Sequence, residues 1–169
     1  IGEAYRAIKG GYADAIIAGG VEASLNPLAM AGFINCMALT ESTDKDAASV
    51  PFDKRRSGFV MGEGAGALIL EEYEHAIARG ATIIAEVCGY GFSSNGTEDI
   101  SMPSAEAEFI AMQRALADAN VQPAEVDYVN AHGTSTIVGD IEEAKALTRL
   151  FSGTKMPFVS STKSMTGHE

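Results

Sequence analysis

Two histidines, a lysine and a run of hydroxyl side chains fall in two segments of this sequence. The first is Tyr128-Val129-Asn130-Ala131-His132-Gly133-Thr134-Ser135-Thr136. The second is Ser160-Ser161-Thr162-Lys163-Ser164-Met165-Thr166-Gly167-His168. In each, a short apolar run leads into polar residues, as at the end of a buried strand. A neutral imidazole there can donate a hydrogen bond to a developing oxyanion or enolate, or move a proton. A lysine cation nearby disfavours a second positive charge and keeps a neighbouring imidazole neutral. Gly133 permits close backbone approach, and Thr134 and Thr136 can hydrogen-bond a polar ligand. Lys163, if buried, needs a carboxylate, for which Glu143 is the candidate. Alternatively, Asp140 and Glu143 form a capping box at a helix start, and the two readings are compatible. His75, in the polar stretch Glu71–Arg79, reads as a surface residue. Cys36 and Cys88 lack the helix start or strained turn that would activate a thiol, and Cys88 reads as a small core residue.

The elements that must position these groups can be sketched from spacing. Ile1, Ala4, Tyr5 and Ile8 sit at helical intervals before Gly10-Gly11. Asp14 to Gly20 reads as a buried strand, and residues 24–57 as a long connection with a short helix. Ala65–Tyr73 reads as a strand running into a helix that ends at Gly80, and Ile83–Tyr90 as a further strand. Ser104 caps a helix with the stripe Ala105, Phe109, Met112, Leu116 and Ala119. Val126–Asn130 is a strand, Asp140 starts a helix through Phe151, and Pro157–Ser161 is the last strand. Strands alternating with helices predict an α/β fold with parallel sheet, whose ligand site lies beyond the carboxyl ends of the strands.

Composition narrows the classes. The chain has 169 residues, within the range of one domain, and 46% of them are hydrophobic. No apolar run approaches the ~18–20 residues of a membrane span. The net charge is −11, carried almost wholly beyond residue 60, which disfavours nucleic acid as a partner. The only basic run is Lys54-Arg55-Arg56, a solvated loop or a contact for an anionic partner. The two cysteines form no CxxC pair and no ligand spacing, so no metal site is expected, and unpaired thiols fit a reducing cytoplasm.

Taken in order, six motifs resemble one family. They are Ala18-Gly-Gly-Val-Glu22, Pro51-Phe-Asp53, the glycine-rich run Gly58–Gly66, the run Tyr128–Thr136, Gly139-Asp140, and the run Ser161–His168. Together they resemble the β-ketoacyl-acyl-carrier-protein synthases, the elongating condensing enzymes of fatty acid synthesis. The resemblance implies a thiolase-like layered α-β-α-β-α sandwich built from two similar halves. This chain would be a central fragment of it. Residues 1–82 would end the N-terminal half, and residues 83–169 would begin the C-terminal half.

The resemblance also implies roles. His132 and His168 match the family's two catalytic histidines, Lys163 its lysine, and Glu143 that lysine's carboxylate partner. Thr134 and Thr136 match threonines that contact the phosphopantetheine arm, and Phe33 a position near the acyl tunnel and dimer contact. The nucleophilic Cys would lie a few residues before Ile1, so the fragment alone is expected to be inactive. The implied activity is an acyltransferase reaction, the decarboxylative Claisen condensation of a malonyl carrier with an acyl thioester. Acyl carrier protein is the implied partner, with a homodimer, a cytoplasmic location, no membrane and no cofactor. The alternatives are a ketosynthase domain of a polyketide synthase and a non-catalytic partner resembling a chain-length factor. A metabolic thiolase is disfavoured by the Asn-Ala-His-Gly-Thr pattern. Asn95, where relatives often carry Asp, and Glu169, where many carry an apolar residue, depart from the family pattern.

Overall fold

Two strands rich in small and β-branched residues meet first. β1 (Ala15–Glu22) and β2 (Gly64–Glu71) pair antiparallel over their whole lengths, Ala15 opposite Glu71 and Glu22 opposite Gly64. Gly20 lies opposite Gly66, where a Cβ on either would meet nothing within 4 Å, and the close approach falls at Gly19, opposite Ala67. A Cβ on Gly19 would lie 2.7 Å from the Gly66 carbonyl oxygen. The computed structural model describes residues 1–96 and 102–169. Helix α1 (Gly2–Lys9) packs against this ribbon. Helix α2 (Pro27–Asn35) starts on Asn26, whose Oδ1 accepts from the amides of Leu28 and Ala29, with proline at its first position. Helix α3 (Tyr73–Ala78) follows β2 directly.

The second half of the chain builds the parallel unit that its alternating pattern predicts. Helix α4 (Ala105–Ala119) is capped by Ser104, whose Oγ accepts from Ala107 N, and ends at Asn120 in the left-handed region. Strand β3 (Tyr128–Asn130) pairs in parallel with β4 (Phe158–Ser160), Val129 opposite Val159. Helix α5 (Ile137–Leu150) makes the crossover and packs on α4, and a single helical turn, α6 (Lys163–Thr166), follows β4. Two isolated bridges add to these elements, of which one joins the two halves of the chain. Met61 pairs with His168, and Leu39 pairs with Phe59 within the first half.

Several expectations need correction. The β1–β2 pair is antiparallel. β1 is not a buried strand: Ile17 is 75% and Val21 80% exposed. The segment Ile83–Tyr90 is extended but joins no ladder among the described residues. It instead lays its backbone on α4, where a Cβ on Gly89 would strike the Ala115 carbonyl at 2.5 Å. Its outer side is uncovered, so Cys88 is an exposed residue and not a core one. Helix α5 begins three residues before Asp140, with Thr136 at its N-cap position.

These exposures have one physical cause. The accessible surface is 11286 Å². A compact 17.6 kDa monomer exposes roughly 7,900 Å². The fully buried apolar set is small, chiefly Leu70, Leu147, Phe151 and five alanines. Much apolar surface that the sequence marks for burial thus lies open in this chain alone. Among the described residues, no helix is long and apolar enough to cross a membrane.

Candidate active site

The parallel pair fixes where the first histidine stands. Ala131 N donates to the Ser160 carbonyl at 2.8 Å, extending the β3–β4 ladder by one bond past the strand end. The chain then turns through Gly133, at φ +40°, and Ser135, at φ +70°. A Cβ on Gly133 would lie 2.6 Å from Ser161 Cβ, so only glycine lets the two strand ends approach this closely. Ser161 Oγ donates to the Gly133 carbonyl at 2.8 Å and binds the turn to β4.

The start of α5 supplies two carboxylates to this turn. Glu143 accepts from His132 N and Gly133 N, one on each oxygen, both at 2.7 Å. Asp140 is buried; its Oδ1 accepts from Ser135 N at 3.1 Å and its Oδ2 from Phe52 N at 2.7 Å. Phe52, like Ser135, is a non-glycine residue with positive φ, so Asp140 holds two strained amides at once. Arg56 lies 3.5 Å from Asp140 and donates to the carbonyls of Asp53, Thr136 and Ile137.

Three expectations are thereby corrected. Glu143 does not partner Lys163: its two oxygens instead accept from the backbone amides of His132 and Gly133. Among the described residues Lys163 forms no ion pair. Asp140 and Glu143 do not form a capping box, because α5 starts earlier and both carboxylates reach back to the turn. The basic run Lys54–Arg56 is not one solvated patch. Arg56 is turned inward on carbonyls and Asp140, and Arg55 is paired with Asp53 at 2.9 Å. That pairing holds the Asp53 carboxyl well down, at about 2.

The second histidine is held from the first half of the chain. His168 N donates to the Val60 carbonyl at 2.7 Å, and Gly62 N donates to the His168 carbonyl at 2.8 Å. Gly62 has no room for a side chain, since a Cβ would lie 2.7 Å from the Thr166 carbonyl. Ser49 Oγ donates to the Lys163 carbonyl at 2.6 Å and secures the start of α6.

These supports bring the imidazoles of His132 and His168 to a centroid separation of 5.3 Å, nearly perpendicular. Phe59 packs on His168 at 5.1 Å, and Phe33 packs edge-on against Phe59 at 5.1 Å. Thr134 and Thr136 share a hydrogen bond, Oγ1 to Oγ1, at 2.8 Å. Desolvation lowers the His132 pKa from its ordinary value, and the charges of Lys163 and His168 lower it further. Asp140 acts in the opposite sense. The result is an imidazole held neutral, the form that can donate to an oxyanion.

So His132, His168, Lys163 and Phe33 are brought together, Thr134 and Thr136 bond each other in the turn after His132, and Glu143 holds that turn's backbone. His75 is elsewhere, bonded to Glu71 at 2.6 Å on the surface. Neither the structural role of Asp140 and Arg56 nor the Phe59 contact follows from spacing. Phe59 sits in the glycine-rich run Gly58–Gly66, which gave a signal as a motif but not for that residue.

The chain matches two family models, "Beta-ketoacyl synthase, N-terminal domain" over residues 1–76 and "Beta-ketoacyl synthase, C-terminal domain" over residues 84–169. It is 51% identical over 173 aligned positions to a 3-oxoacyl-[acyl-carrier-protein] synthase 2 of Vibrio cholerae, covering 99% of this chain and 42% of the relative. It is 50% identical to the protein of the same name from Staphylococcus aureus, covering 99% and 42%. The chain thus spans about 42% of the length of these curated relatives. Among solved structures, it superposes with a TM-score of 0.93 on a ketosynthase of a type II polyketide system bound to its acyl-carrier protein. That match has 41% identity and covers 99% of this chain and 42% of the other. It superposes with a TM-score of 0.89 on a β-ketoacyl synthase from Burkholderia phymatum, at 46% identity, covering 99% and 40%.

Proposed function

The chain belongs to the β-ketoacyl synthase family, with the thiolase-like α/β fold of its ketosynthases, and we propose that its parent protein is a 3-oxoacyl-[acyl-carrier-protein] synthase of fatty acid elongation. The observation that carries this reading is the pair of imidazoles 5.3 Å apart, with the charge of Lys163 acting on His132. Two neutral imidazole donors can converge on a single oxygen that becomes an enolate.

The reaction then runs as follows. A cysteine thiolate, supplied by parent sequence before Ile1, takes the acyl group from its carrier as a thioester and releases the carrier thiol. A malonyl carrier enters, with its pantetheine arm along Thr134 and Thr136. Loss of carbon dioxide leaves the electron pair on the thioester enolate, whose oxygen accepts from the His132 and His168 rings. The carbanion attacks the acyl thioester and expels the cysteine thiolate. The product is a 3-oxoacyl carrier two carbons longer. Lys163 contributes positive charge that keeps His132 neutral, and the sequence of steps needs neither metal nor redox group. Phe33, against Phe59 and His168, would border the acyl chain.

Acyl carrier protein is the proposed partner, since a similar ketosynthase is solved with its own. The parent would be a homodimer in the cytoplasm, with its two halves meeting near residues 82 and 83, between the two family matches. A polyketide ketosynthase is the second reading, favoured by the 0.93 superposition on one. The two are distinguished by whether the parent elongates saturated acyl carriers or only ketoacyl ones.

The test is condensation by the full-length parent with acyl and malonyl carrier proteins. His168→Ala is expected to abolish 3-oxoacyl product. Retained condensation in that variant would remove the role assigned to His168.

A further inference from the structure

Behind the candidate site, three carboxyl groups meet where α4 packs on α5, and only one lacks a donor. The helices are joined there by Ala105 N donating to Glu142 Oε2 at 3.2 Å, by the Arg149–Glu106 ion pair, and by the Arg149 guanidinium 3.9 Å above the Phe109 ring. Glu142 is also paired with Lys145 at 2.6 Å. Glu143 is occupied by the amides of His132 and Gly133. Glu108, from α4, faces both, and its Oε2 is buried with no hydrogen-bond partner among the described residues.

We propose that Glu108 is a positioning residue: neutral, it leaves Glu143 free to clamp the His132–Gly133 backbone, and on losing its proton it loosens that clamp. The proposal rests on the function argued above, because the clamp matters to catalysis only if His132 serves the condensation.

The argument is one of donors and charge. Three carboxylates in one partly dry contact repel each other, so one is relieved by taking a proton. Glu142 has Lys145 and a backbone amide, and Glu143 has two backbone amides. The proton therefore goes to Glu108. Desolvation, with Glu143 and Glu142 nearby, pushes its carboxyl up to about 7. Besides these two, the charged groups at the contact are Lys145 on α5 and the Glu106–Arg149 pair, each already neutralised by its partner. Once Glu108 ionises, its repulsion with Glu143 drives the two carboxylates apart. Any share of that movement taken by Glu143 weakens the two 2.7 Å bonds that set the His132 backbone.

The sign follows. Going from pH 6 to pH 8, the neutral fraction of a group titrating near 7 falls about tenfold. Condensation by the full-length parent should fall over this range relative to Glu108→Gln, which keeps the neutral form at every pH. A fall of threefold or more in the wild-type to Gln ratio supports the proposal, and a ratio constant within threefold overturns it.

Amide exchange at His132 and Gly133, corrected for the intrinsic pH dependence, supplies a readout independent of activity. Protection should fall with rising pH in the wild type and not in Glu108→Gln. If no condensation occurs at any pH, the proposed function fails, and the exchange comparison alone decides Glu108. Identical pH dependence of protection in the two proteins refutes the positioning role.

Discussion

Replacing Asp140 by asparagine isolates the energetics of the turn that carries His132. Asp140 is almost wholly buried, with its side chain 1% exposed. Its two oxygens accept from Ser135 N and Phe52 N, and Arg56 stands 3.5 Å away. Asparagine keeps the shape but offers one acceptor and one donor. One amide, of Ser135 or Phe52, then faces an NH₂ group, and Arg56 loses its counter-charge. A hydrogen bond to a charged group contributes about 1.5–3 kcal/mol, and a buried donor left unpaired costs about 1–3 kcal/mol. Both amides belong to residues with positive φ, at +70° and +63°, so each gains by relaxing once released. A net local loss of about 3 kcal/mol is expected. At about 1.4 kcal/mol per tenfold, this lowers amide protection at Ser135 and Phe52 by about 100-fold. Hydrogen exchange on the full-length protein reads these two amides directly, with β1 and β2 as internal controls that should not change. Protection within threefold of wild type in a folded Asp140→Asn protein would refute the claim that this carboxylate pins the turn.

Other predictions concern the same turn. Gly133→Ala places a Cβ 2.6 Å from Ser161 Cβ on a backbone at φ +40°. It should cost about 1–3 kcal/mol in thermal unfolding and reduce condensation by at least tenfold through displacement of His132; an alanine variant of unchanged activity would show the close approach is dispensable. The His132 ring should titrate below the ordinary histidine value of about 6.5, because desolvation and Lys163 disfavour its cation. Stability linked to this ring therefore increases as pH rises through that lower window, where the unfolded chain binds the extra proton. In Lys163→Met the ring titration, followed by NMR, should move upward, and a downward move would contradict the electrostatic account.

Local chemistry was legible in the sequence where a residue acts within its own segment. The Ser104 cap, the β3–α5–β4 alternation and the two histidines at adjacent strand ends are examples. What was not legible depends on partners far away in the chain. The segment Ile83–Tyr90 has strand composition, but a strand exists only as one side of a ladder, and no described strand pairs with it. β1 and β2 share the apolar look of a parallel core, yet their register is antiparallel, and apolar runs do not encode direction. Glu143 lies three residues after Asp140, so spacing alone offered a capping box or a lysine partner. Its actual partners are the donating backbone amides ten and eleven residues earlier. Side-chain to backbone bonds of this kind leave no residue-type signature on the donor.

That last feature explains how the site holds its geometry while leaving the reactive groups free. Every strong restraint on the two histidines acts through the main chain: Glu143 on His132 N, Val60 and Gly62 on the two sides of His168, and Ser161 on the Gly133 carbonyl. The Arg56–Asp140 pair then ties Phe52 and Ser135 together, and so ties the long 36–63 connection to the parallel sheet. Buried charge of this sort is costly unless each oxygen and each N–H finds a partner, and here the partners are the strained amides of the turn itself. The His132 ring makes no hydrogen bond among the described residues and stays available to a substrate oxygen, whereas His168 Nδ1 lies 3.2 Å from the Glu169 carbonyl, so only the other side of that ring is open. A site held by ring-to-carboxylate bonds would instead bias the imidazoles toward the cation and occupy their ring N–H groups. Backbone anchoring and a cationic neighbour are thus two halves of one solution, in which position is fixed without raising basicity.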